Sequence, residues 1–174
     1  MEYNNLNLLA FAVPFFFFLM ILEYRYSLKK GKKLYNFDEA VANVNVGIIE
    51  RMSDMFAVSV FHFFFVWVYE NFGIFDIKAN AVTWILLFLV TDLAWYWYHR
   101  FGHEVNLLWS AHVVHHQSED YNFTVAARIT VFQAFFRSMF WSVIPLLGFP
   151  PEMITTILLI HGAYPFFTHT QTVG

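Results

Sequence analysis

From Ala79 to Tyr98 the chain carries a single charged side chain, Asp92, and it then runs directly into His99. A run of about 20 residues is what an α-helix needs to cross the hydrocarbon of a bilayer. A histidine at the end of such a run puts its chemistry at the membrane rim. Composition agrees: 59% of the 174 residues are hydrophobic, 22% are aromatic and only 13% are charged, against about 45–50% apolar and about 25% charged in a soluble domain. The expected fold is all-α, an integral-membrane helical bundle of about four or five membrane helices. One membrane domain accounts for residues 1–174.

Taken in order, Leu6 to Leu22 reads as the first membrane helix. The expectation is a retained helix, with a cleaved signal as the alternative, because Glu2 rather than Lys or Arg precedes it and no small-residue site follows. The basic run Arg25, Lys29, Lys30, Lys32 and Lys33 belongs on the cytoplasmic side. Phe37 to Arg51 is mixed enough for an amphipathic interfacial helix, and Met52 to Tyr69 is apolar enough for a span. His62, alone among phenylalanines in that span, reads as a hydrogen-bonded neutral packing histidine. Glu70 to Lys78 forms the far-side connection, and Ala79 to Tyr98 returns to the cytoplasmic face. Two further apolar stretches, Ile129 to Leu147 and Glu152 to about Phe167, flank a break at Gly148, Pro150 and Pro151. They predict a hairpin into or across the membrane that brings His169 back to the cytoplasmic side. His161 faces elsewhere and reads as structural.

The segment WYWYHRFGHEVNLLWSAHVVHHQSEDY concentrates five of the eight histidines within eighteen residues. His99 and His103 are i and i+4, as are His112 and His116, while His112 and His115 are i and i+3, so each group presents its rings on one helical face. With no cysteine, thiolate zinc and iron–sulfur sites are excluded, leaving imidazole and carboxylate as ligands. Imidazole suits Zn, Cu, Fe or Ni and argues against Mg or Ca. His169 joins the candidates because its depth matches the cluster. Asp92, Tyr96, His99 and His103 form one stripe on a helix. Asp92 reads either as an oxygen acceptor supporting a ligand through Tyr96 or water, or as the partner of Arg128 or Arg137. No P-loop, GxSxG elbow or cysteine nucleophile is present, and no basic stripe suggests nucleic acid.

HRFGH, followed nine residues later by HVVHH, resembles the HxxxH and HxxHH boxes of the sterol desaturase and fatty acid hydroxylase superfamily of integral-membrane non-haem di-iron oxygenases. The surrounding residues are especially similar to its alkylglycerol monooxygenase branch and bacterial relatives. YPFFTHT is similar to a family helix that ends in histidine, and the resemblance puts the domain core at about residues 80–174. It implies that His99 and His103 are first-box ligands, that His112, His115 and His116 are second-box ligands, and that His169 is an additional one, together holding two Fe ions. It further implies O2-dependent oxidation of a C–H bond in a sterol, fatty acyl or alkyl glycerol ether lipid. The electron donor would be cytochrome b5, a ferredoxin or tetrahydrobiopterin. The family carries a further HxxHH box beyond the position of His169, and the sequence stops at Gly174 without it. The chain therefore reads as a fragment, inactive alone, with a degenerate relative as the alternative. Other classes are a membrane haem or metal-transport protein, which would want facing single histidines or midplane carboxylates, and a structural membrane protein with incidental histidines.

Overall fold

The computed structural model describes residues 3–172, with side chains described from residue 13 onward except that of Leu159. Seven α-helices follow in order: α1 (Tyr3–Lys29), α2 (Phe37–Phe72), α3 (Ala81–Glu104), α4 (Asn106–His112), α5 (Val131–Trp141), α6 (Val143–Leu146) and α7 (Pro151–Ala163). Short 3₁₀ turns occupy Val113–His116, Val125–Ala127 and Tyr164–Thr168. The stretch Leu6 to Leu22 lies inside α1, and the side chains of its first part are outside the described residues.

Asn36 caps α2, its side-chain oxygen accepting from the N–H groups of Asp38 and Glu39. Both acidic residues sit in the electropositive first turn. An interfacial helix and a separate span were expected here. The structure instead has one helix of 36 residues, about 54 Å long at ~1.5 Å per residue. The charged stretch does not end the helix because Glu50, Arg51 and Asp54 find partners: Arg51 bridges Glu50 at 2.6 Å and Asp54 at 3.3 Å. Gly47 does not interrupt it either. That glycine permits close approach, since a Cβ there would lie 2.7 Å from the Ala127 carbonyl oxygen.

Asn80 and Thr83 form a reciprocal capping box that starts α3. The helix continues past Tyr98 to Glu104, so His99 and His103 stand on one rigid element. Among the described residues, α2 and α3 are the two helices long and apolar enough to cross a membrane.

The hairpin forms from shorter pieces than the sequence suggests. The hydroxyls of Ser138 and Ser142 donate back to carbonyls four residues earlier, a pairing that bends helices. Pro165 lacks the N–H that would continue α7, and the chain tightens into the Tyr164–Thr168 turn. The tip nevertheless reaches the α2–α3 connection: Ile74 N–H donates to Leu146 O at 2.9 Å and Ile77 N–H to Gly148 O at 3.3 Å. The hairpin thus runs beside α2 and α3 from the histidine end to the opposite end.

Gly148 has φ +97°, and a Cβ there would lie 1.8 Å from the Phe75 carbonyl oxygen. Gly148→Ala should therefore destabilise the protein by about 1–3 kcal/mol, seen as a lower unfolding temperature in detergent. An unchanged transition would show that the tip does not pack this way.

Phe65, Leu87, Trp141, Ile144, Phe149, Met153, Ile154 and Ile157 make the core between α2, α3 and the hairpin. In lipid such contacts gain little from leaving the solvent, so close packing and interhelical hydrogen bonds carry the association. His62 makes the bond expected of it, to Thr155 Oγ1 at 3.3 Å.

At the other end, the α1–α2 loop packs on two distant segments. Asn122 Nδ2 donates to Leu34 O at 2.6 Å and Lys32 Nζ to Gln171 O at 3.4 Å. The buried Glu23 carboxylate accepts from Tyr35 Oη at 2.5 Å, from Phe123 N–H at 2.7 Å and from the Thr170 hydroxyl. The basic run, the residues after the histidine cluster and the segment carrying His169 therefore share one end of the molecule.

Candidate metal centre

Val105 alone, in extended backbone, separates α3 from α4, so the chain turns sharply and α4 packs back on α3. After His112 the helix tightens into the Val113–His116 3₁₀ turn, a departure from the regular helical spacing expected of the second box. Three residues per turn bring i and i+3 into line. The ring centroids of His112 lie 5.5 Å from His115 and 4.8 Å from His116.

All six candidate histidines form one contiguous group. His112 is at its centre, its ring centroid 4.7 Å from that of His99 and 4.8 Å from that of His103. Ligand atoms of His99, His103 and His112 all fall within 4.8 Å of one another. Three pairs face each other through Nε2: His99 and His103 at 3.2 Å, His112 and His116 at 3.0 Å, His115 and His169 at 2.9 Å. Ring nitrogens about 2.0–2.1 Å from a shared ion require separations of about this size. Trp109 stacks beside His116 and Tyr121 lies over His169, while His103 and His116 stay exposed at the edge of the group.

The tautomers say what this donor set accommodates. His115 Nδ1 faces the Arg128 carbonyl oxygen at 3.1 Å and His169 Nδ1 faces that of Pro165 at 2.6 Å. A carbonyl only accepts, so both rings carry their proton on Nδ1. Their Nε2 lone pairs then point at each other, which repels unless a cation lies with them. A proton is a poor candidate: burial, reinforced by neighbouring rings, pushes His115 down to about 4, and burial lowers His169 as well. Burial, with the same crowding, holds His112 down at about 3 and also lowers His116. Buried imidazoles such as His115 and His169, neutral and with converging Nε2 lone pairs, fit a transition-metal ion.

A model of the fatty acid hydroxylase family matches residues 84–174, which is just over half of the chain. The chain belongs to the fatty acid hydroxylase family. Its curated relatives include alkylglycerol monooxygenases from Homo sapiens, 35% identical over 94% of this chain, from Danio rerio, 34% over 93%, and from Xenopus tropicalis, 31% over 94%. The aligned region covers 37%, 36% and 36% of those proteins, so the chain spans little more than a third of their length. No solved structure matches it.

The segments HRFGH and HVVHH supply five of the converging histidines, and His169 joins them from the far end of the hairpin. Asp92 and Tyr96 do not take the supporting places expected of them. Asp92 Oδ1 pairs with His161 Nε2 at 3.2 Å, and the Tyr96 hydroxyl accepts from Arg100 at 3.3 Å. Arg128 and Arg137, the other partners considered for Asp92, are engaged by Asn43 and by Asp54. Both Asp92 and Tyr96 instead line a groove of about 330 Å³ with Trp95, His99 and Arg100. His161 is buried against Phe88 and Trp95, outside the cluster.

The polar groups that meet the candidate rings from outside the cluster are Gln133, the Thr168 hydroxyl and the carbonyls of Arg128 and Pro165. Backbone carbonyls leave no mark in a sequence. Gln133 did leave one, as an amide inside an apolar segment.

Proposed function

We propose that the complete protein is a membrane-bound monooxygenase of lipids, with two irons held by His99, His103, His112, His115, His116 and His169 together with ligands outside this chain. The observation that carries this reading is the pair of opposed Nε2 lone pairs on His115 and His169, inside a histidine cluster at the end of two bilayer-length helices. Bound iron would supply O2 activation: one oxygen atom enters a C–H bond, the other leaves as water, and two external electrons and two protons balance the change. The protein's own part is to hold the imidazoles in place and receive an apolar chain from the bilayer. The relatives' name makes alkylglycerol ethers the first substrates to test. Cytochrome b5, a ferredoxin and tetrahydrobiopterin are the donors to try in turn. Family membership does not favour the haem or metal-transport alternative.

In the same reading α1, α2, α3 and the two arms of the hairpin are membrane segments of a single domain, with the histidines at the cytoplasmic face. Support comes from the packing of the basic loop beside residues 122–123 and 170–171, because Lys and Arg concentrate on the cytoplasmic side. The test is made on full-length protein purified from membranes. Expected are about two irons per chain and O2-dependent oxidation of a lipid, both lost to a chelator and restored by Fe(II). A purified, folded protein that takes up no iron would remove the proposal.

A further inference from the structure

Gln133 sits in the first turn of α5 and is buried, and the structure places its amide nitrogen Nε2 2.8 Å from His112 Nδ1, with Oε1 toward Thr130 N–H. Its place is fixed from several sides. Its own N–H donates to Thr130 Oγ1 at 3.3 Å, and the Thr130 hydroxyl donates to the carbonyl oxygen of Ala111, next to His112, at 2.8 Å. The start of α5 is thereby docked on the end of α4.

His115 and His169 have their tautomers set by backbone carbonyls. His112 differs, because an amide can offer either its N–H or its oxygen according to a half-turn of its terminal plane. With the amide N–H toward Nδ1, His112 keeps its proton on Nε2 and donates it to His116 Nε2 at 3.0 Å, and that nitrogen has no lone pair for a metal. With the amide oxygen toward Nδ1, the proton sits on Nδ1 and the Nε2 lone pair faces the cluster. The half-turn gives up the 3.4 Å contact between Thr130 N–H and Gln133 Oε1, half of the capping box that starts α5, and the hydrogen bond between the Gln133 amide and the Tyr98 hydroxyl.

We propose that Gln133 is a positioning residue whose side-chain oxygen accepts from His112 Nδ1–H and so selects the tautomer that binds metal at the centre of the cluster. The proposal rests on the metal-centre reading above. It makes a chemical distinction that packing does not. Gln133→Glu keeps an acceptor at the same reach, whereas Gln133→Met keeps the length and removes it. A filler role predicts the opposite order, since a buried carboxylate disturbs an apolar helix more than a thioether does.

Full-length protein in detergent is titrated with Co(II) against a chromophoric chelator, and the ligand-field spectrum is recorded. Gln133→Met should weaken Co(II) binding by about 10–100-fold and change the spectrum, while Gln133→Glu stays close to the parent in both. If Gln133→Met does not fold, Gln133→Leu takes its place with the same expectation. The proposal is overturned if the variant without an acceptor binds as tightly as the parent, or if Gln133→Glu falls as far as Gln133→Met. Should the parent itself bind no Co(II), the metal-centre reading fails, and this inference fails with it.

Discussion

His112→Ala should reduce lipid oxidation by the complete protein to background and lower its iron content, while the far-ultraviolet circular dichroism keeps its helical form. The reason is position. The His112 ring lies against His99 and His103 on one side and against His115 and His116 on the other. It therefore joins the first box to the second, and its loss divides the donor set rather than trimming an edge. The fold has less at stake, because His112 is held by one amide and by ring contacts at the end of a seven-residue helix. Leaving the Gln133 amide unpaired costs about 1–3 kcal/mol, so assays belong well below the unfolding temperature. His161→Ala is the informative control, since that ring is equally buried but bonds Asp92 outside the cluster. Iron content should survive there. Parent-level turnover by His112→Ala would remove it from the ligand set, and iron loss only in His161→Ala would place the centre elsewhere.

The histidine cluster was legible because its information is local: i, i+3 and i+4 spacings decide which rings share a face before any tertiary contact forms. The tightening at Val113–His116 changed how the rings gather without changing which rings meet. His169 lies 54 residues from His115, and it became a candidate through the predicted return of the hairpin and the likeness of YPFFTHT to a family helix ending in histidine. Features that depended on one distant partner were not legible. Asp92 reads from the sequence either as supporting a ligand through Tyr96 or water or as pairing with Arg128 or Arg137, yet its partner is His161, 69 residues away. The division of α2 at Arg51 failed for the same reason. A charged stretch marks a boundary only where its charges must meet water, and the charges of Glu50 and Asp54 meet Arg137 on α5, more than 80 residues away.

That charge group carries the second large prediction. Arg137 Nη2 lies 2.5 Å from Asp54 Oδ1 and 3.7 Å from Glu50 Oε1, with its guanidinium over the Trp141 ring. Arg51 completes a neutral set of two guanidiniums and two carboxylates. Glu50 is 1% exposed and Asp54 14%, whereas Arg51 is 56% exposed and partly hydrated. Arg137 is thus the buried counter-ion, and Arg137→Met leaves a net negative charge between α2 and α5. Breaking a buried pair from one side costs about 3–5 kcal/mol, mostly the penalty of the charge left behind. A large fall in unfolding temperature in detergent is expected. Arg137→Met combined with Asp54→Asn restores neutrality and should recover most of the loss, because the deficit comes from charge and not from lost shape. If the double variant is as unstable as the single one, packing of the Arg137 stem on Trp141 dominates instead. If the single variant unfolds with the parent, water reaches the α2–α5 contact and the group is not buried. Recovery in the double variant would explain why α2 passes through Arg51 unbroken: its charges are satisfied from α5, one turn beyond the glutamine that faces His112.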